Sequence, residues 1–222
     1  MIGWVRITEE VRFTGPLKRA TVSCEAGRWF VSLMIDTDDV QLVQHPEQVI
    51  GVDLGVSALA TLSTGEIIVG PKSHAAALKR LRSANKTLAR KRRGSANFRK
   101  QKARLARVHR RVAAIRRDAL HKLTTNLSKT YAVIGIEDLH VRGMVRNRHL
   151  ARAVSDMSFA EFRRQLAYKC RMYGARLVVA GRFYPSRPVL VAALSNRRWP
   201  CRRGSSTATI VVSRKAVTST RR

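Results

Sequence analysis

Two carboxylates stand where a carboxylate is costly. Asp53 lies inside "VIGVDLGV" and Glu137 inside "YAVIGIEDL". Ile, Val and Leu flank both, in runs that read as buried β-strands. An ionised carboxylate in an apolar strand is penalised by desolvation unless a cation or a donor compensates it. Two such strands in one sheet would bring both acids to neighbouring strand ends, where they can share divalent ions. That is the arrangement of two-metal phosphodiester hydrolysis, in which one ion activates water and the other stabilises the leaving oxygen. The plainer alternative has Asp53 capping a turn at Gly55 and Glu137 paired with one of the many arginines. Asp138 falls on the opposite strand face by alternation and reads as structural.

The charge balance says what such a site would meet. The 222 residues carry 44 Lys and Arg against 14 Asp and Glu, a formal net charge of +30. A polyanion is the natural partner, bound with release of counterions. A membrane surface is the rival polyanion, but no run approaches the roughly 18 apolar residues of a spanning helix, and "MIGWVRITEEVRF" has no signal-peptide core. Cys24, Cys170 and Cys201 are far apart and form no C-x-x-C pair, so neither a disulfide framework nor a zinc site is expected. Each reads as a small hydrophobe. Nucleic acid in the cytoplasm, with no membrane partner, is the expectation.

The elements that must position the acids follow from pattern. "ATVSCEAGRWFVSLMI" (20–35) alternates around Gly27 and predicts a β-hairpin. "VIGVDLGVSALATLSTGEIIVG" (49–70) predicts consecutive strands with turns at Gly55-Val56 and Thr64-Gly65. Residues 72–129 hold 20 Lys and Arg and one acid, Asp118. Leu78, Leu81, Leu88, Leu105, Val108, Val112 and Ile115 recur there at helical spacing, which predicts two basic helices broken at Gly94-Ser95. A merely solvated charged face would interleave acids as i,i+4 partners; their absence favours a nucleic-acid-binding face. Lys86, Arg90, Lys91, Arg92, Arg93, Arg99, Lys100 and Arg104 are the candidate nucleic-acid contacts, positioning rather than specifying sequence. "YAVIGIEDL" (131–139) predicts a buried strand. "SDMSFAEFRRQLAYKCRMYG" (155–174) predicts a helix capped by Ser155 or Ser158 and stopped by Gly174, and "ARLVVAG" a last strand. The sum is an α/β protein with a mixed sheet. His74, His109, His121, His140 and His149 show no metal-ligand spacing and read as surface or phosphate-contacting groups. Phe183 and Tyr184 suit base stacking or strand-end packing equally.

"GVDLGVSALATLSTGE", "IGIEDLHVRGM" and "GRFYPS", in that order around a basic helical pair, resemble the TnpB (OrfB) family of transposon-encoded proteins, relatives of the type V CRISPR effectors. The resemblance covers residues 1–186. It implies a RuvC-like nuclease of the ribonuclease H fold, dependent on Mg2+ and guided to DNA by an RNA of transposon origin. The hairpin at 20–35 resembles the last strands of the family's wedge domain, and the basic helices its insertion beside the guide–target duplex. Asp53 and Glu137 match the first two members of the family's acidic triad. The family's zinc ribbon and third Asp have no counterpart as written.

The expected organisation is therefore a wedge-domain remnant over 1–45, a RuvC-like domain over 46–186 with the helical insertion 72–129, and a disordered basic tail over 187–222. The tail has no acid and no burying period. Read with each codon shifted by one base, Val189, Ala192, Ala208 and Val211 permit two C-x-x-C pairs where the codons before them (for Pro188, Val191, Thr207 and Ile210) end in T, and Val217 to Arg222 permits D-V-N-A-A. The tail thus reads as an out-of-frame translation of the missing ribbon and motif, and the chain as truncated at its N-terminus. The expectation is a nuclease-family fragment with little or no cleavage and with nucleic-acid affinity retained. The alternative, from another class, is a non-catalytic DNA- or RNA-binding protein; a ribosome-associated basic protein would leave the two strand carboxylates without a reason.

Overall fold

The computed structural model describes residues 6–11, 13–37 and 48–181, together with the backbone of Ile210–Val211 and Lys215–Val217. Two compact units emerge: one of Met1–Val40, Lys79–Arg111 and Arg203–Arg222, the other of Gln41–Leu78 and Val112–Arg202. The predicted boundaries at 45 and 186, the "GRFYPS" motif beyond Gly181, Cys201 and most of the tail lie outside the described residues.

In the second unit, β3 (Val49–Asp53), β4 (Ala60–Leu62), β5 (Ile67–Ile68), β6 (Val133–Glu137) and β7 (Arg176–Ala180) form one sheet in the order β5-β4-β3-β6-β7. The first three strands run antiparallel, turning at Gly65 with a φ of 92°. The last two join parallel to β3 through helical crossovers. Parallel strands cannot be linked by a tight turn, so the long excursion between β5 and β6 is a topological necessity. β3 and β6 are covered by helices and accordingly read as continuous apolar runs. Ile50, Val52, Ile134 and Ile136 are fully buried, and Leu120, Leu123, Leu127, Phe162 and Leu166 pack into the same core. The mixed α/β architecture is as the sequence predicts.

The helices are α1 (Ser73–Ala89), α2 (Ala96–Thr130), α3 (Val141–Arg146), α4 (Ala151–Met157) and α5 (Phe159–Tyr173). α1 and α2 are the predicted basic pair. Gly94 takes a φ of 81° in the turn between them, and Ser95 caps α2, its Oγ accepting the N–H of Phe98 at 3.1 Å. Two hydrogen bonds fix an antiparallel pairing: Ser73 Oγ donates to the Val112 carbonyl, and Gln101 Nε2 to the Ala84 carbonyl. Ile115 departs from expectation. It is exposed, because the buried stripe of the 35-residue α2 drifts round the helix and leaves it at the edge.

The predicted helix over 155–174 is two helices. Ser158, at φ 56° and ψ 45°, is left-handed and ends α4 before α5 begins. Its hydroxyl donates to the Ser155 carbonyl and gives α5 no side-chain cap. Gly174, at φ 83°, stops α5 as predicted. α3, of six residues, is too short for periodicity to register.

In the first unit, β1 (Leu17–Glu25) and β2 (Arg28–Ile35) form the predicted hairpin, turning at Ala26-Gly27 with positive φ at both. Cys24 is exposed on β1, not packed as a small hydrophobe; Cys170 is buried as expected. In the tail, β8 (Ile210–Val211) and β9 (Lys215–Val217) pair antiparallel with β2. Among the described residues no helix is long and apolar enough to cross a membrane.

Candidate active site

β3 and β6 lie side by side in register, Val49 against Val133, Ile50 against Ile134, Gly51 against Gly135 and Val52 against Ile136. The next residue on each strand is its last, Asp53 and Glu137. In-register parallel neighbours point to the same face, and adjacent strands run about 4.8 Å apart. The fold thus places the two acids at the C-terminal ends of adjacent central strands. Asp53 is exposed and Glu137 half-buried, so neither carboxylate is sealed in the core. A partly open strand end spares an acid the full desolvation penalty of the core. Among the described residues Glu137 makes no ion pair.

Asp138 is turned to a different task. Its N–H donates to the Ala180 carbonyl at 2.9 Å, and its carboxylate pairs with Arg163 of α5. That is the structural role expected of it.

A cavity of about 260 Å³ opens beside Glu137, bounded by the loop after β6 and the first turns of α3 and α5. Its position, outside the carboxyl ends of parallel strands, is where open α/β sheets bind ligands. Among the described residues no group of three or more His, Cys, Asp and Glu side chains gathers as a metal site. Two carboxylates at the ends of adjacent strands still suit Mg2+, a hard cation that retains several waters and takes one or two protein carboxylates.

The predicted nucleic-acid contacts are all in the first unit. Lys86 lies in the last turn of α1, Arg90 to Arg93 form the turn, and Arg99, Lys100 and Arg104 lie on α2; all eight are exposed. Residues 79–111 contain no Asp or Glu, so this stretch supplies no carboxylate to neutralise them.

Two buried polar groups escaped the sequence reading. Asp156 of α4 is 5% exposed; its carboxylate accepts the backbone N–H groups of His74 and Ala75 at the start of α1 and the Ser73 hydroxyl, with Arg116 at 4.0 Å. Lys169 of α5, also 5% exposed, donates to the His121 carbonyl, Thr124 Oγ1 and Thr125 Oγ1 at 2.7–2.8 Å. Burial pulls its pKa down to about 8. Nearby, Arg164 grips Glu161 through two hydrogen bonds and holds that carboxyl down to about 2. Burial first, then the Lys169 charge, lowers the His121 pKa. The available signal is phase for Lys169 alone, three positions after Leu166 on the buried face of α5, where a charge must be buried and paired.

The model of the OrfB_IS605 family, described as "Probable transposase", matches residues 30–148. A Streptomyces pristinaespiralis protein named "Putative RNA-guided DNA endonuclease" is 40% identical over 207 residues, covering 86% of this chain and 51% of its own length. InsQ of Escherichia coli K12, which bears the same description, is 35% identical over 200 residues, covering 83% of this chain and 50% of its own. A Mycobacterium tuberculosis protein, MT2953, so described too, is 38% identical over 167 residues, covering 70% of this chain and 36% of its own. The chain belongs to the OrfB_IS605 (OrfB/TnpB) family. It spans about half the length of the first two of these relatives.

Proposed function

We propose that this chain carries the RuvC-like nuclease centre of an RNA-guided DNA endonuclease, with Asp53 and Glu137 as catalytic and metal-binding residues. The observation that carries the reading is the pairing of β3 with β6, which ends both strands on an acid at the same edge. The sheet supports it: an antiparallel meander followed by two parallel crossover strands is a ribonuclease H-like arrangement. The names of the relatives point to DNA as substrate and a guide RNA as partner, and the cytoplasm is the compartment that fits both.

Mg2+ held between Asp53 and Glu137 would supply Lewis-acid stabilisation of a phosphodiester and a more acidic bound water. The chain's own residues do the rest. The two carboxylates would hold the cation, and their strands, packed through Ile50, Val52, Ile134 and Ile136, keep the two strand ends at a constant separation. Asp138, paired with Arg163, keeps a structural role in this reading. With two carboxylates, cleavage by this chain is expected to be weak. The exposed cations of the α1–α2 turn hold polynucleotide backbones without reading sequence.

The test is Mg2+-dependent cleavage of DNA by the protein, with Asp53→Ala and Glu137→Ala as controls. Cleavage lost in both variants supports the reading. Cleavage that survives either substitution contradicts it. The acid-free basic stretch favours one second reading, a non-catalytic polynucleotide-binding protein. It predicts salt-sensitive binding that is unaltered by Mg2+ and by both substitutions.

A further inference from the structure

We infer that the cavity beside Glu137 is a phosphodiester-binding subsite, in which Arg142, Arg163 and His140 hold one backbone phosphate of a nucleic-acid strand. At about 260 Å³ it is smaller than the roughly 300–1,000 Å³ of small-molecule pockets. It therefore accommodates part of a larger ligand. Its walls join an apolar side, Leu54 and Phe159, to a polar one carrying Glu137, His140, Arg142 and Arg163. Its lining carries two guanidinium groups and one carboxylate, with Asp138 paired to Arg163 beside it, so an anion rests next to Glu137 by drawing Arg163 from Asp138.

Arg163 is paired with Asp138, but both side chains are about half exposed. Such a pair is worth little in water. A phosphate oxygen, which accepts the guanidinium fork at two points, competes with the carboxylate or shares the fork with it. His140 is held by a backbone device. A Cβ at Gly143 would stand 2.8 Å from His140 Nδ1 and 3.2 Å from Cε1. The missing side chain at position 143 is thus what lets the imidazole fold onto α3 and line the cavity. Gly in a helix is otherwise unfavourable, so the ring's placement gives this glycine a reason.

The inference rests on the nuclease reading only for the use to which the bound phosphate is put. The experiment is amide and imidazole NMR of the full chain titrated with thymidylyl-thymidine, a probe with a single phosphodiester, without divalent ions. The Gly143 and Ala160 amides and the His140 ring are expected to shift. Affinity should fall by about tenfold in Arg163→Ala, one charge-assisted contact's worth. Gly143→Ala should weaken binding too while leaving the melting temperature equal or higher, which a purely structural role for the glycine would not produce. Asp138→Asn should bind as well as the parent or better. Shifts confined to Arg90–Arg93, or parent-like affinity in both Arg163→Ala and Gly143→Ala, would overturn the inference. So would a weakening in Asp138→Asn matching that in Arg163→Ala. If the probe binds as expected while added Mg2+ leaves Asp53 and Glu137 unmoved, the subsite stands and the nuclease reading falls.

Discussion

Both carboxylate oxygens of Asp156 on α4 accept the backbone N–H of His74, at 3.0 and 3.1 Å. One of them also takes the N–H of Ala75, so an acid remote in sequence caps the first turn of α1. Free N–H groups at a helix start need acceptors, and the positive end of the helix dipole favours an anion there. Asp156 therefore roots the start of the basic helical pair in the second unit. Asp156→Ala removes the cap and leaves Arg116 without its acid. Urea unfolding should show a destabilisation of about 2–4 kcal/mol. Asp156→Asn, which keeps an acceptor, should cost about half as much. Equal stability of all three proteins would refute this role.

Lys169 makes stability depend on alkaline pH. Its ammonium has three donors and meets three acceptors, yet burial still lowers its pKa from 10.5 to about 8. Between those values the unfolded chain binds more protons than the folded one, so the lysine's contribution to stability rises with pH from about 8 to 10.5. Below pH 8 both states are protonated and the burial penalty is fully present. Cys170, whose thiol pKa burial raises, acts in the opposite sense above pH 9. The difference between the parent and Lys169→Met isolates the lysine. It should shift in the parent's favour by on the order of 2–3 kcal/mol across this window. A difference that is flat with pH would contradict the assignment.

Much of this fold is legible in the sequence because its signals are local. The apolar runs around Asp53 and Glu137 announce buried strands, and the leucine spacing with Gly94-Ser95 announces a helical pair. What the sequence does not show is pairing at a distance. Nothing local places Asp156 against His74, or Lys169 against Thr124 and Thr125, since such contacts depend on how helices meet. The pattern marks Ser158 as a cap but not as a left-handed break, because serine carries no strong preference for that backbone region. The cavity formed by His140, Arg142 and Arg163 is likewise tertiary, and only Gly143 leaves a trace of it in the sequence.

The basic turn should act through charge alone. Replacing Lys91, Arg92 and Arg93 together by alanine should weaken duplex DNA binding to a similar extent for unrelated sequences. The slope of log affinity against log salt should flatten by about 0.9 for each phosphate no longer neutralised, up to nearly 3. Fluorescence anisotropy at several salt concentrations reads this directly. An unchanged slope would remove these residues from the interface. The fold itself should be unaffected, since all three side chains are exposed.

The central claim is a cation shared between the ends of β3 and β6. Mn2+, a paramagnetic substitute for Mg2+, reports it by electron paramagnetic resonance and by broadening of nearby amides. The parent protein should bind Mn2+ with broadening centred on Asp53, Leu54, Glu137 and Asp138. Asp53→Asn and Glu137→Gln should each lower that affinity by at least about tenfold, as removal of a carboxylate ligand from a hard cation does. Broadening centred elsewhere, or Mn2+ affinity untouched by both substitutions, would contradict it.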